Sequence, residues 1–412
     1  MGKLVNNAAS VRIQNTALVK LMICKFKGIS RKEIAEKLFL SPPAITSLIN
    51  EISTDGVIVE NDRTVSADNC MLGRHQKGLS FVDGQKYVIG IETSPLGLVF
   101  CICSFNGTIF LKKIVKDGYF EVDDLLNVIE KTCIDFANQL PININQIIGI
   151  CIGVAGRVDE EKGKIIRCFI KEWNNLNVVE LLEKRLTIPV TIINNVKARA
   201  FAEDLKETQI DNSDSFCYFF AARGTSCPYV YRRPSDIRPF VTAGELGHFK
   251  FDHRKQICPI CGKKGCLDAN ANEQVMQEEI EKELCKHPES RIAAIYRDKK
   301  TIDIFDIIEA RKAGDSWMDP VFEDSLRLLA LALSNLINLL MPKRVYVDSK
   351  IITELNFRDY FEKKVKEDVF GNEVLDTQFI FIQFDKYRGA QAAALYAFRK
   401  FYIEKGLKYE DL

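Results

Sequence analysis

Between Gly244 and Asp268 the sequence reads Gly-Glu-Leu-Gly-His-Phe-Lys-Phe-Asp-His-Arg-Lys-Gln-Ile-Cys-Pro-Ile-Cys-Gly-Lys-Lys-Gly-Cys-Leu-Asp, with three cysteines and two histidines in one short span. Thiolates and imidazoles at such spacing can hold a metal, and Cys-x-x-Cys followed by Gly-x-x-Gly-Cys lets the backbone turn tightly enough for three sulfurs to converge. A closed set of four protein ligands gives a structural ion, whereas a catalytic ion keeps a position open for water. A second set of residues could read DNA. Ser41 can cap a helix that starts at Pro42, and that helix turns Pro43, Ala44, Thr46, Ser47 and Asn50 outward. These residues are small and mostly polar, which suits close approach to base edges, and Asn50 can pair with adenine. Arg31, Lys32 and Lys37 then face phosphates.

The elements that would position these residues follow from spacing. Ile13, Ala17, Leu18 and Leu21 recur at helical intervals and Gly28 ends the run. Ser30-Arg-Lys-Glu33 is a capping box, so Ile34, Ala35 and Leu38 line a short helix. Phe39-Leu40 makes a turn. Pro42 fits the first turn of the next helix, where its missing N–H is not needed. Ile45, Leu48, Ile49 and Ile52 bury that helix, Gly56 stops it, and Val57-Ile-Val59 is a strand. This order predicts a winged helix-turn-helix with its second helix in the major groove. A small packing module that touches no DNA is the alternative. Gly73-Arg-His-Gln-Lys-Gly78 reads either as a basic linker or as an arm that reaches a minor groove.

From residue 86 the pattern becomes α/β. Tyr87–Glu92, Leu98–Cys103 and Thr108–Lys113 are strands, with Asn106-Gly107 as the turn between the last two. A helix over 122–138, the strand Ile147–Val154, a helix near 178–186, the strand Pro189–Ile193 and a helix over 197–205 follow. A second set comprises strands at 217–220, 228–231, 344–347 and 379–383, a long helix over 319–340 and a small-residue helix over 389–401. Two such sets predict two lobes.

The 412 residues carry a net charge of +1, which excludes a polycation. Residues 1–82 hold 11 Lys/Arg against 7 Asp/Glu, an excess that hints at an acidic partner. Thirteen cysteines, an odd number scattered through apolar runs, argue against a disulfide framework. No signal peptide and no membrane-spanning run is apparent, so a cytoplasmic protein with no membrane partner is expected.

The chain resembles the ROK family of repressors, open reading frames and sugar kinases, and more closely its members with a fused N-terminal winged helix, the xylose-repressor and N-acetylglucosamine-repressor type. The resemblance rests on Ser30-Arg-Lys-Glu-Ile-Ala35, Leu40-Ser41, Ile45-Thr-Ser47, Gly73-Arg74, Gly153-Val-Ala-Gly-Arg-Val-Asp159, Trp173, Pro189-Val190, Gly244-Glu-Leu-Gly-His248, Cys261-Gly-Lys-Lys-Gly-Cys-Leu267 and Gly389-Ala-Gln-Ala-Ala-Ala394. It implies an α/β chain in which a winged helix-turn-helix and linker (1–82) precede a two-lobe actin-like, sugar-kinase-type ATPase fold (83–412), with a zinc loop at 244–268. The family's zinc ligands carry over as His248, Cys258, Cys261 and Cys266, a closed and therefore structural site. Two residues separate the first two cysteines here, where the family often has one. His253 and His287 are expected to be surface histidines.

The same resemblance locates where kinase chemistry would lie. The first phosphate loop is Glu92-Thr-Ser-Pro-Leu-Gly97, the second Ala222-Arg-Gly-Thr-Ser-Cys-Pro228 and the third Asp348-Ser349, each short of the glycines that let backbone N–H groups approach phosphate. The family's general base is replaced by Asn195, whose amide cannot take a proton. No catalytic residue is therefore expected. Sugar contacts carry over as Gly156, Asn194, Glu245 and His248, with Asp268 where a Glu is usual, whereas Phe169 replaces an asparagine. Glu245 either braces the zinc loop or grips a hydroxyl.

The expectation is a DNA-binding regulator, in the first place a repressor of carbohydrate-related genes. It would bind double-stranded DNA as a homodimer or higher homo-oligomer, with a sugar effector and a catalytically inactive body. An ATP-dependent sugar kinase with a fused DNA-binding domain, and a protein-binding module, are the alternatives.

Overall fold

The computed structural model describes residues 8–62, 77–118, 120–140, 142–206, 214–233, 237–251, 256–371 and 376–407. The chain forms two compact units: residues 1–213, 232–239 and 386–412, and residues 214–231 and 240–385.

The first unit opens with helices α1 (Ala8–Lys25), α2 (Arg31–Leu38) and α3 (Pro42–Ile52) and the antiparallel strands β1 (Ile58–Asp62) and β2 (Lys77–Phe81). Ser30 closes the expected capping box with Glu33, whose carboxylate accepts the Ser30 N–H. Ile34, Ala35, Ile45, Leu48, Ile49 and Ile52 are buried, as the spacing requires. Lys77 and Gly78, read as the end of a linker, instead belong to β2, where Gly78 lies so close to Gly28 that a Cβ would sit 2.7 Å from the Gly28 carbonyl oxygen. Gly73, Arg74 and the rest of that stretch lie outside the described residues.

After the wing come β3 (Tyr87–Ser94), β4 (Gly97–Cys103), β5 (Ile109–Val115), α4 (Val122–Gln139), β6 (Ile147–Val154), the β7–β8 hairpin (Gly156–Asp159, Lys164–Cys168), α5 (Val178–Glu183), β9 (Val190–Asn194) and α6 (Asn195–Lys206). The sheet order is β5-β4-β3-β6-β9, with β3, β6 and β9 parallel. Its core runs from Ile89, Ile91 and Phe100 to Ile129, Phe136, Trp173 and Leu182. The closing helix Arg388–Phe398 lies against β3 with its alanines so near that a Cβ on Gly90 would sit 1.8 Å from the Ala390 carbonyl oxygen. Small residues on both sides are therefore a packing requirement.

The end of α1 is buried on more sides than its apolar spacing predicts: Val19, Met22, Ile23 and Lys25 are buried, and Ile13 is exposed. The reason is that α1 packs on α3 and β2 and also on α6 and the turn after the closing helix. Lys25 donates to the Asp204 carboxylate at 3.4 Å and to its carbonyl oxygen. Arg232 holds the two oxygens of Asp204 at 2.8 and 2.5 Å, and Arg399 adds a contact at 3.1 Å. Arg399 also holds Glu404 at 2.7 Å, and Arg238 reaches the same carboxylate at 2.5 Å. Burial acts against the Asp204 charge, but Arg232, Lys25 and Arg399 outweigh it and hold its pKa well below the usual range. Glu404 is likewise lowered by Arg399 and Arg238 against burial. For Lys25 burial wins over its one carboxylate, and its pKa is held down at about 8.

The second unit carries β10 (Asp214–Ala221), β11 (Thr225–Ser226), β12 (Tyr229–Arg232), β13 (Phe240–Val241), α7 (Glu273–Glu283), α8 (Arg291–Lys299), α9 (Ile304–Lys312), α10 (Asp319–Leu340), β14 (Arg344–Asp348), α11 (Lys350–Glu354), α12 (Arg358–Glu367) and β15 (Gln378–Phe381). The sheet order is β13-β12-β10-β14-β15, with β11 paired to β10. Its core joins Phe219, Val345 and Val347 to Phe322, Leu326, Leu329 and Leu333 of α10. Helices α7 to α9 have no counterpart in the sequence reading. Their caps, Asn272, Ser290 and Asp303, each accept backbone N–H bonds at the first turn.

Candidate nucleic-acid interface and metal centre

Helix α3 presents Ser41, Pro43, Thr46, Ser47 and Asn50 exposed and Ala44 half-buried, the face that sequence spacing assigned to base edges. Ser41 occupies the N-cap in extended conformation without a side-chain hydrogen bond. Lys32 is exposed beside Glu36 at 3.9 Å. Arg31 is placed differently from the expected phosphate contact. Its Nε and Nη2 hold the two oxygens of Glu60 on β1 at 3.0 and 3.1 Å, and its Nη1 donates to Asn50 Oδ1 at 3.1 Å. The Arg31 hydrogen bond lowers the Glu60 pKa. Arg12 of α1 similarly clamps Glu51 at 2.5 Å and reaches Ser47 Oγ at 3.4 Å. Sequence reasoning missed Arg12, Glu51 and Glu60, because each pairs with a residue 29 to 39 positions away and no local pattern marks it.

His248, Cys258, Cys261 and Cys266 come together, with their ligand atoms all within 4.8 Å of one another. Cys258 Sγ lies 3.8 Å from His248 Nδ1, and Cys261 Sγ lies 3.5 Å from Cys266 Sγ. An ion with ~2.3 Å bonds to sulfur would hold tetrahedral thiolates about 3.8 Å apart, so the donor set fits one metal. The loop is built for this: Gly262 (φ 72°) and Gly265 (φ 73°) make left-handed turns, and the Gly262 N–H closes on the Cys258 carbonyl at 2.9 Å. The Lys250 ammonium lies 3.0 Å from Cys266 Sγ, which favours a thiolate. Burial pushes the Cys258 thiol up; for Cys261, hydrogen bonds from the Lys263 backbone and the neighbouring thiols, with the Lys250 charge, outweigh burial and bring it down. His253 lies outside the described residues, and His287 is half-buried, stacked on Trp317 at 4.1 Å.

The sugar candidates divide between the two units. In the first, the Asn194 amide donates to the Gly156 carbonyl at 2.9 Å while its oxygen caps α6 through the Val196 and Lys197 N–H groups. In the second, Glu245 is exposed, and Asp268 is buried. Asp268 accepts the Thr225 N–H at 2.9 Å and lies against Gly247, where a Cβ would sit 2.1 Å from its oxygen. Burial pushes its pKa up to about 7, with the Glu245 charge adding to this and the Thr225 hydrogen bonds opposing it. Asp268 therefore braces the loop after β10 against the loop that carries His248. Phe169 is exposed.

At the positions that the resemblance assigns to the first and third phosphate loops, side chains and backbone make contacts within the protein. Ser94–Gly97 closes a tight hairpin in which the Leu96 N–H donates to Ser94 Oγ at 3.1 Å, and Pro95 offers no N–H. Glu92, buried, pairs with Arg199 at 2.7 Å and accepts from Asn195 Nδ2 at 3.2 Å, with the Gly389 backbone pressed against its carboxylate. In the other unit Asp348 accepts the Tyr218 hydroxyl at 2.7 Å, and Glu273 pairs with Lys350 at 2.9 Å.

The sequence matches the ROK family model over residues 90–399. It is 25% identical over 358 residues to the xylose repressor of Caldicellulosiruptor bescii, covering 86% of each chain. It is 24% identical over 356 residues to the DNA-binding transcriptional dual regulator NagC of Escherichia coli, covering 84% of this chain and 83% of that one. Among solved structures, a ROK family transcriptional regulator described as a homolog of the E. coli MLC protein superposes with a TM-score of 0.76 at 21% identity, covering 96% of this chain and 97% of that one. A ROK family glucokinase from Streptomyces griseus, in complex with glucose and AMPPNP, gives 0.62 at 20% identity and covers 76% of this chain and 99% of that one. The likenesses to these structures establish the fold. None of the described helices is long and apolar enough to cross a membrane.

Proposed function

The chain belongs to the ROK family, and we propose that it is a sequence-specific DNA-binding repressor of carbohydrate-related genes. The observation that carries this reading is α3: a proline-initiated helix whose buried stripe leaves Pro43, Thr46, Ser47 and Asn50 exposed, with a two-stranded wing beside it. The names of the relatives, a xylose repressor and a DNA-binding transcriptional dual regulator, support a DNA-binding regulator. Sugar is the effector class, and a homodimer on a palindromic site is the expected assembly. Selection of duplexes from a random pool by the full chain, followed by gel shift of the enriched sequence, tests the reading. Failure to enrich any sequence ends it.

The body is proposed not to transfer phosphate. Support comes from Pro95, from the Ser94 hydroxyl that occupies the Leu96 N–H, from the Arg199 guanidinium on Glu92 and from the amide at Asn195. A kinase needs free backbone donors for phosphate and a base for the sugar hydroxyl. ATP consumption with a panel of sugars is the check, and turnover with any of them would restore the kinase reading. The metal is proposed to be zinc held by His248, Cys258, Cys261 and Cys266. Four protein ligands leave no position for a reacting water, so the ion would shape the loop that carries Glu245 and His248.

A further inference from the structure

We infer that Asn50 reads guanine and not adenine, because the Arg31 guanidinium has already engaged the acceptor end of its amide; the inference rests on the DNA-binding reading above. Arg31 sits at the first position of α2, and its fork on both oxygens of Glu60 fixes the rotation of the guanidinium plane. That plane aims Nη1 at Asn50 Oδ1, 3.1 Å away. Asn50 itself is exposed on the outward face of α3.

Recognition of adenine by asparagine uses both ends of the amide: the oxygen accepts from N6–H2 and the nitrogen donates to N7. Here the oxygen already accepts a charge-assisted bond, which weakens it as a further acceptor and polarises the NH2 into a better donor. What remains open is the donor end. Guanine shows two adjacent acceptors, N7 and O6, in the major groove; thymine shows one, adenine sets its N7 beside a donor, and cytosine shows a donor alone. The best match to an outward NH2 with a guanidinium behind it is guanine. The same geometry gives Glu60 a role as positioning residue, since it orients Arg31, and it makes Arg31 with Glu60 a neutral pair instead of a phosphate contact.

The test is duplex selection with the full chain and three variants. The wild type should show one guanine position that Asn50→Ala flattens by about tenfold in relative affinity. Asn50→Asp should turn that position to cytosine, whose N4–H2 a carboxylate accepts. Arg31→Met should release the amide and move the preference toward adenine, leaving the other positions unchanged. Adenine at the Asn50-dependent position in the wild type overturns the inference. So does an Arg31→Met variant that binds all duplexes more weakly with base preference intact, which is the signature of a lost phosphate contact. Absence of any enriched sequence sinks the DNA-binding reading itself, and the inference falls with it.

Discussion

The His248–Cys266 cluster proposed to hold a metal and the ion network around Asp204 both bring ionisable side chains together, yet their partners come from different distances along the chain. Cys258, Cys261 and Cys266 lie within nine residues, and His248 is ten residues before them. Lys25, Asp204, Arg232, Arg238, Arg399 and Glu404 come from the two ends and the middle of the sequence. A contiguous ligand set needs only a turn, which two left-handed glycines supply. A dispersed set needs distant segments of the first unit brought together before Asp204 meets Lys25, Arg232 and Arg399. Loss of the first should therefore be local and loss of the second global.

The largest effect is expected at Asp204. Asp204→Asn keeps the shape but leaves Lys25, Arg232 and Arg399 without the carboxylate they share. Breaking a buried pair in this way costs about 3–5 kcal/mol, which denaturant unfolding of the full chain would read as a large fall in the midpoint. A loss below ~1 kcal/mol would mean that water reaches the network. The pH dependence has a definite sign. Asp204 and Glu404 have folded pKa values below their unfolded ones. Their stabilisation is therefore present above the ordinary carboxylate range and is lost as pH falls through the folded values. Lys25 is held down at about 8 against an ordinary 10.5, so between those values the unfolded chain keeps a proton that the folded chain has lost. Its share of stability rises with pH across that window. Asp204→Asn should blunt the acid limb.

Cys261→Ser sharpens the contrast from the other side. Metal content should fall from one ion per chain toward zero, and hydrogen exchange should speed up over the described parts of 244–268. The midpoint set by the Asp204 network should stay. Metal-free wild-type protein with unchanged exchange in this loop would remove the ion from the account.

The contrast also explains what could be read from the sequence. The capping box at Ser30, the stripe of α3, the Asn106-Gly107 turn and the Cys-x-x-Cys loop are all local, and the structure contains each of them. The buried Lys25 was not legible. It follows an apolar run whose spacing suggests one face, and nothing nearby shows that α1 must pack against both the wing and α6. Arg31 was misplaced for the same reason. A cation at the start of a recognition motif looks like a phosphate contact until Glu60, 29 residues on, is brought beside it. Helices α7 to α9 escaped notice because their signals are caps and mixed faces instead of long apolar stripes.

A third, smaller effect is expected where the turn between α2 and α3 uses the wrong residue type. Phe39 caps α2 in the left-handed region (φ 53°) and is 95% exposed. A side chain at positive φ costs about 1–2 kcal/mol, and this one makes almost no packing contact in return. Phe39→Gly should raise stability by roughly 1 kcal/mol in equilibrium unfolding, after allowance for the greater freedom glycine has in the unfolded chain. A loss of stability would show that the ring is covered in solution.

The smallest effect separates two serines that the sequence treats alike. Ser30 and Ser41 both stand at helix N-caps, and both looked like side-chain caps. Ser30 is buried, its hydroxyl accepts the Glu33 N–H at 3.2 Å, and Glu33 answers on the Ser30 N–H at 2.7 Å. Ser30→Ala should therefore cost about 1 kcal/mol, the usual value of a filled N-cap. Ser41 is exposed and makes no capping hydrogen bond, and α3 begins with two prolines, the second of which removes one of the two N–H groups a side-chain cap serves. Ser41→Ala should cost no more than a few tenths of a kcal/mol in folding, less than half the effect at Ser30. If Ser41 matters, it should matter on DNA: its exposed hydroxyl lies at the helix end that would face the duplex, so the same substitution should weaken duplex binding while the unfolding midpoint holds. Equal unfolding costs at the two serines would mean that the Ser41 cap forms in solution.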